Sequence, residues 1–120
     1  MRLWHEALIE KLPRAQLLGQ HRECCALRGK GWAKKHSTVN YVFNYYPYKL
    51  FQYHLEVMNE MKIRGYHPDE SWFDPLYRGQ KCEAYLELKK ITQTLPIYPE
   101  HNESYLESCR ENLKEKGIII

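Results

Sequence analysis

The sequence predicts an all-α protein, three packed helices joined by long loops in a compact single domain over residues 1–120. Three observations predict it. Apolar residues recur at three- and four-residue spacing over 14–28, 47–64 and 102–116. Helix start and stop residues stand at the ends of those spans. The length of 120 residues and the 43 % hydrophobic content suit one core without metals or disulfides.

Taken in order, residues 3–12 predict a short helix stopped by Pro13, which cannot continue the backbone hydrogen-bond ladder. The first long helix, 14–28, carries Leu17, Leu18, His21, Cys24, Cys25 and Arg28 on one stripe and ends at Gly29-Lys30-Gly31. The second begins near Pro47, a favoured first-turn residue, and stops at Gly65. Its stripe is Leu50, His54, Val57, Met58 and Met61, widened by Phe51, Tyr53 and Leu55, so it is expected to be central. Residues 66–79 read as loop, 80–93 as a further helix and 95–99 as extended chain. The last helix starts after Asn102, a good N-cap, and stops at Gly117, with Tyr105, Leu106, Cys109 and Leu113 on its apolar side. The tail Ile118–Ile120 either packs on the body or makes a contact.

Composition narrows the function. The first residues lack the apolar run of a signal peptide, and no stretch is long enough to span a bilayer, so no membrane role is expected. Cys24, Cys25, Cys82 and Cys109 lack zinc-ribbon spacing and read as reduced thiols in a cytoplasm. Eight basic residues against three acidic ones in 1–36 give a local +5, leaving −2 of the chain's +3 for the rest. That asymmetry suits a polyanion-binding face, or an ordinary solvated surface. The ten tyrosines and three tryptophans suit core packing or base stacking.

Glu23 lies nearly opposite the Leu17/Cys24/Cys25 stripe, with Gly19 and Ala26 beside it and Arg14 and Arg22 on the adjoining flank. Small neighbours leave room for something to approach the carboxylate; the bland alternative is a solvated glutamate. Arg110 and Lys114, four apart, either converge on one spot or pair with Glu107 and Glu111. Gly31-Trp32-Ala33-Lys34-Lys35-His36 either grips a phosphate backbone beside a stacking ring or anchors a loop. His21 and Cys25 have a spacing a metal can use, but both sit on the core stripe, so packing is expected and no metal.

Gln16-Leu17-Leu18-Gly19-Gln20-His21-Arg22-Glu23 resembles the first long helix of the phage-type pyrimidine-dimer DNA glycosylases, and the following Lys35-His36 resembles a Lys-His there. Tyr48-Lys49-Leu50 through Lys62-Ile63-Arg64-Gly65-Tyr66 is similar to the family's second helix, and Tyr98-Pro99-Glu100 through Arg110-Glu111-Asn112-Leu113-Lys114 to its third. The resemblance leaves out roughly 67–95. It implies a catalytic Glu23 and DNA contacts from Arg2, Arg22, Lys34, Lys35, His36, Arg110 and Lys114. The wording of 1–43 also resembles an uncharacterised bacterial branch.

Three departures stand out. The family's nucleophile is the α-amine of a small residue exposed by removal of the initiator Met, whereas residue 2 here is Arg2, which implies that Met1 carries the amine. Ala26 stands where the family has an arginine, with Arg28 close by as a possible substitute, and the phage enzyme's aromatic, basic tail is replaced by Ile118–Ile120. The implied function is a DNA repair glycosylase with abasic-site lyase activity, working through an imine on Met1 assisted by Glu23. It needs no cofactor. Its partner is double-stranded DNA with a lesion or abasic site, with no obligate protein partner, in the cytoplasm at the nucleoid. The alternatives are a non-catalytic nucleic-acid-binding module on the same scaffold and a helical interaction protein using the apolar tail.

Overall fold

In the computed structural model, which describes residues 2–35 and 38–120, three helices carry the molecule: α1 (Arg14–Arg28), α2 (Pro47–Ile63) and α3 (Glu103–Glu115). Single 3-10 turns cover Glu6–Lys11, Asn40–Asn44 and Glu70–Phe73, and no strand occurs among the described residues. The all-α expectation therefore holds.

The ends form for the reasons visible in the sequence. The Asn102 side chain accepts from the Tyr105 N–H at 2.9 Å and caps α3. At its other end Gly117, with φ +82°, lets its N–H reach the Lys114 carbonyl while Ile118 N–H reaches Leu113. α2 closes in the same way: Gly65 (φ +88°) bonds Lys62 and Tyr66 bonds Met61. Both stops need the left-handed conformation that glycine adopts without strain.

One core joins the helices. Leu17, Cys24 and Leu27 of α1 meet Leu50, Tyr53, Val57 and Met61 of α2, with Cys109 and Leu113 of α3 completing it. Truncating a fully buried leucine such as Leu17 to Ala is expected to cost about 2–5 kcal/mol. Leu3, Trp4, Leu8, Ile9 and Leu12 belong to the same core, so the N-terminal segment is part of the body. Ile118 and Ile120 pack partly against it, while Ile119 stays exposed. The four cysteines are free.

Three expectations are corrected. The helix over 3–12 is reduced to the 3-10 turn at Glu6–Lys11, with His5 as its cap. The helix over 80–93 does not form. There the backbone groups are taken by other elements: Tyr85 N–H by the Leu76 carbonyl, Lys89 N–H by the Tyr46 hydroxyl, and the Ile91 carbonyl by Gln52. A helix would need those same groups for its own ladder. The segment 95–99 bends and turns where extended chain was expected.

Candidate active site

Each helix holds one carbonyl of the segment before the first turn. Gln20 of α1 donates Nε2–H to the Arg2 carbonyl at 3.2 Å, Tyr105 of α3 donates its hydroxyl to Leu3, and Tyr53 of α2 donates to Trp4 at 2.6 Å. Gln20 also accepts the Trp4 N–H at 2.7 Å, and it is 2 % exposed. Buried amides paired in this way fix a backbone, because releasing any one strands a polar group away from water. The Arg2 side chain is then directed to α3, where Nη1 donates to the Ser108 hydroxyl at 3.2 Å and the guanidinium lies 5.7 Å from the Tyr105 ring centre.

This arrangement leaves an open cleft of about 480 Å³. Gln16, Gly19, Gln20, Arg22 and Glu23 of α1 form one wall, Arg2 and Trp4 another, and Thr38, Asn112 and Lys116 the remainder. One carboxylate, Glu23, therefore shares the cleft with three cations, Arg2, Arg22 and Lys116. A Cβ on Gly19 would sit 3.7 Å from Arg22 Nη2, an ordinary van der Waals contact, so the wall of the cleft is open beside that guanidinium. Excess positive charge in a concave site attracts and holds an anionic chain. A single carboxylate within it can stabilise developing positive charge and move protons.

The structure brings Arg2, Arg22 and Glu23 to one place. Arg110 and Lys114 are exposed and do not line the cleft; each lies about 160° around α3 from Asn112. Lys34 and Lys35 are exposed on the turn after α1. Met1 and His36 lie outside the described residues. Trp32 packs edge-on against Phe43, 5.0 Å between centres, which fits the loop-anchor reading. Trp4 is only 8 % exposed. Arg28 turns inward: it is 5 % exposed and donates to the carbonyls of Trp72, Asp74 and Tyr77. It thus does not bring a guanidinium to Glu23 in place of the one missing at Ala26. The sequence reading missed Thr38, Asn112 and Lys116. A signal existed for the last two: they fall beside the buried Cys109 and Leu113, on the α3 face that turns toward Arg2.

His21, Cys25 and His54 place three potential ligand atoms within 4.8 Å of one another. Their hydrogen bonding fits a proton-ordered chain better than a metal centre. Arg28 Nη1 donates to His54 Nδ1 at 2.9 Å, so neutral His54 carries its proton on Nε2 and donates it to His21 Nδ1 at 2.8 Å. A metal at that Nε2 would have to displace the proton while Arg28 held the other nitrogen. Burial, then the charge of Arg28, keeps His54 well below the usual histidine range, and burial lowers His21. Burial raises the Cys25 thiol to about 11, away from the thiolate a metal prefers.

A family model described as pyrimidine dimer DNA glycosylase matches residues 1–74. That span contains α1, α2 and every cleft residue except Asn112 and Lys116. No curated protein and no solved structure matches the chain.

Proposed function

The chain belongs to the pyrimidine dimer DNA glycosylase family, and from that premise we propose that it excises a damaged base from double-stranded DNA and then nicks the abasic strand, using the cleft of Arg2, Arg22 and Glu23. The observation that carries this reading is that one carboxylate and three cations line the same cleft as the segment following Met1.

In this reading the N-terminal α-amine is the nucleophile. Its unperturbed pKa of about 7.7–8.0 leaves a useful neutral fraction near neutral pH, where lysine at roughly 10.4 is almost wholly protonated. Arg2 and Arg22 favour the neutral form further, because like charges disfavour an ammonium. The amine nitrogen attacks C1′ of the damaged nucleotide, and the glycosidic bond breaks with its electron pair leaving on the base. Glu23 stabilises the positive charge that develops on the sugar, accepts the proton given up by the nitrogen and passes it to O4′ as the C1′–O4′ bond breaks and the ring opens to an imine. Loss of a C2′ proton to water then expels the 3′ phosphate by β-elimination, the C3′–O electron pair leaving on the phosphate. Arg2, Arg22 and Lys116 hold phosphates about a nucleotide turned out of the stack, a displacement that costs least at a lesion.

Borohydride trapping on an abasic duplex tests the chemistry. The untagged chain is expected to form a covalent adduct. N-terminal acetylation is expected to abolish the adduct while binding persists, since an amide nitrogen is not nucleophilic. Equal trapping after acetylation would move the nucleophile to a lysine, with Lys35 the first to test. No trapping in either form would leave the binding-module reading.

A further inference from the structure

Three side chains link the core to the surface. The Arg28 guanidinium can only donate, so its Nη1–H reaches the Nδ1 lone pair of His54 at 2.9 Å. His54 therefore carries its hydrogen on Nε2 and donates it to His21 Nδ1 at 2.8 Å. His21 in turn carries its hydrogen on Nε2. His54 is fully buried and His21 half-buried, so His21 is the outer end. Arg28 also holds the carbonyls of Trp72 and Asp74 at 2.8 Å and of Tyr77 at 3.1 Å, and the Trp72 ring packs on His54 with 5.8 Å between centres. Segment 70–78 thus hangs on Arg28 and His54. None of its residues belongs to the hydrophobic core, which makes it the kind of element that opens at low cost.

These three groups have no room for a further proton. A hydrogen on His21 Nδ1 would meet the Nε2–H of His54, and one on His54 Nδ1 would meet the N–H of Arg28. The surrounding charges oppose it as well. From α1, Arg22 and Arg28 act on His21, and Arg28 acts on His54. Cys25, beside both rings, keeps its thiol proton. The 69–85 segment brings Asp69 toward Cys25, and Asp74 and Tyr85 toward Arg28, but no carboxylate pairs with either ring among the described residues. Burial is the largest influence and lowers both histidines.

We propose that Arg28, His54 and His21 form an acid-released latch: when His21 takes a proton from water, its bond to His54 breaks and segment 70–78 comes away from the helices. Charged His21, already half-exposed, turns to solvent. The buried Nε2–H of His54 is then left with Cys25 Sγ, 4.0 Å away and a weak acceptor. An orphaned buried donor is costly, and the cost is relieved when the ring turns away from Arg28 and Trp72. Those are the contacts on which the segment hangs. Its release uncovers Trp72 and the Cys25 edge of α1, which line a cleft of about 520 Å³. Neither histidine and no residue of 70–78 lines the Glu23 cleft, so the latch does not depend on the DNA chemistry assigned there.

Amide hydrogen exchange on the intact ¹⁵N-labelled chain from pH 7.5 to 5.5, corrected for the intrinsic exchange rate, tests this. The N–H groups of Trp72, Asp74 and Tyr77, bonded to the carbonyls of Asp69, Ser71 and Asp74, report the segment. Their opening is expected to rise about tenfold over that range, the effect of one histidine that charges near pH 6.5 once released. The amides of Cys109 and Leu113 in α3 are expected to stay protected. His21→Asn sets an amide oxygen close to the place of Nδ1, so it keeps an acceptor for His54 and cannot charge. It is expected to hold the opening at pH 5.5 within about twofold of its value at pH 7.5. The proposal is overturned if the wild-type opening is flat over the range, or if the α3 amides open in step with the segment. It is equally overturned if His21→Asn opens with acid as the wild type does. The wild-type profile alone decides if the variant does not fold.

Discussion

Trp4 and Gln20 are paired through the backbone of one and the amide of the other. The Trp4 N–H donates to Gln20 Oε1 at 2.7 Å, and the same amide donates Nε2–H back to the Arg2 carbonyl two residues earlier. Gln20 sits one turn of α1 before Glu23, so the amide ties the N-terminal segment to the helix that carries the carboxylate. Gln20→Met keeps the size and removes both bonds. It is expected to cost about 2–3 kcal/mol in urea unfolding, because two buried polar groups lose partners, and to slow imine trapping more than it weakens duplex binding. Unchanged stability would mean that the amide does not hold the segment.

The cations of α3 and of its C-cap residue separate by face. Lys116 lines the cleft and Arg110 and Lys114 do not. Lys116→Ala is expected to lower the salt dependence of DNA binding by about one unit. Arg110→Ala with Lys114→Ala is expected to change it less. Salt titrations of the three proteins on one duplex check this, and the reverse order would put the opposite face of α3 on DNA.

Arg28 bridges the carbonyls of Trp72, Asp74 and Tyr77. A lysine is a point charge and cannot reproduce that fork. Arg28→Lys is expected to destabilise the chain by about 2–3 kcal/mol and to open the segment around Glu70–Arg78 to proteolysis. An unchanged cleavage pattern in limited proteolysis would contradict this.

His101 and His54 are held neutral in the fold, the first down to about 3 and the second well below the usual range, by burial above all. Unfolded histidine takes up its proton near pH 6.5. The unfolded chain therefore binds more protons below that pH, so stability is full above about 6.5 and falls as pH drops toward the folded values. Urea midpoints are expected to decline between pH 6.5 and 4.5, by up to about 1.4 kcal/mol per unit for each histidine. A flat profile over that range would mean that both rings are solvated.

The three helices were legible because each has an apolar stripe bounded by start or stop residues of its own: Pro47, Gly65, Asn102 and Gly117 do locally what their residue types predict. The 80–93 segment was not, because Leu76, Tyr46 and Gln52 take its backbone groups, the last two from 43 and 39 residues away. The site divides in the same way. Gly19, Arg22 and Glu23 share one helix face, so periodicity alone groups them. Thr38, Asn112 and Lys116 reach the cleft only through packing. Periodicity put Arg28 on the apolar stripe, but the carbonyls it holds lie 44 to 49 residues away and no local pattern points to them.

The central claim is that the Glu23 cleft cuts damaged DNA. The most direct measurement compares wild type with Glu23→Gln on one duplex carrying a site-specific pyrimidine dimer or abasic site, recording binding and strand cleavage together. Gln keeps the shape but carries no negative charge and exchanges no proton. The account predicts that binding holds within about twofold while cleavage falls at least about a hundredfold, the usual scale for losing a positioned acid–base group. Cleavage at the wild-type rate by Glu23→Gln would contradict it.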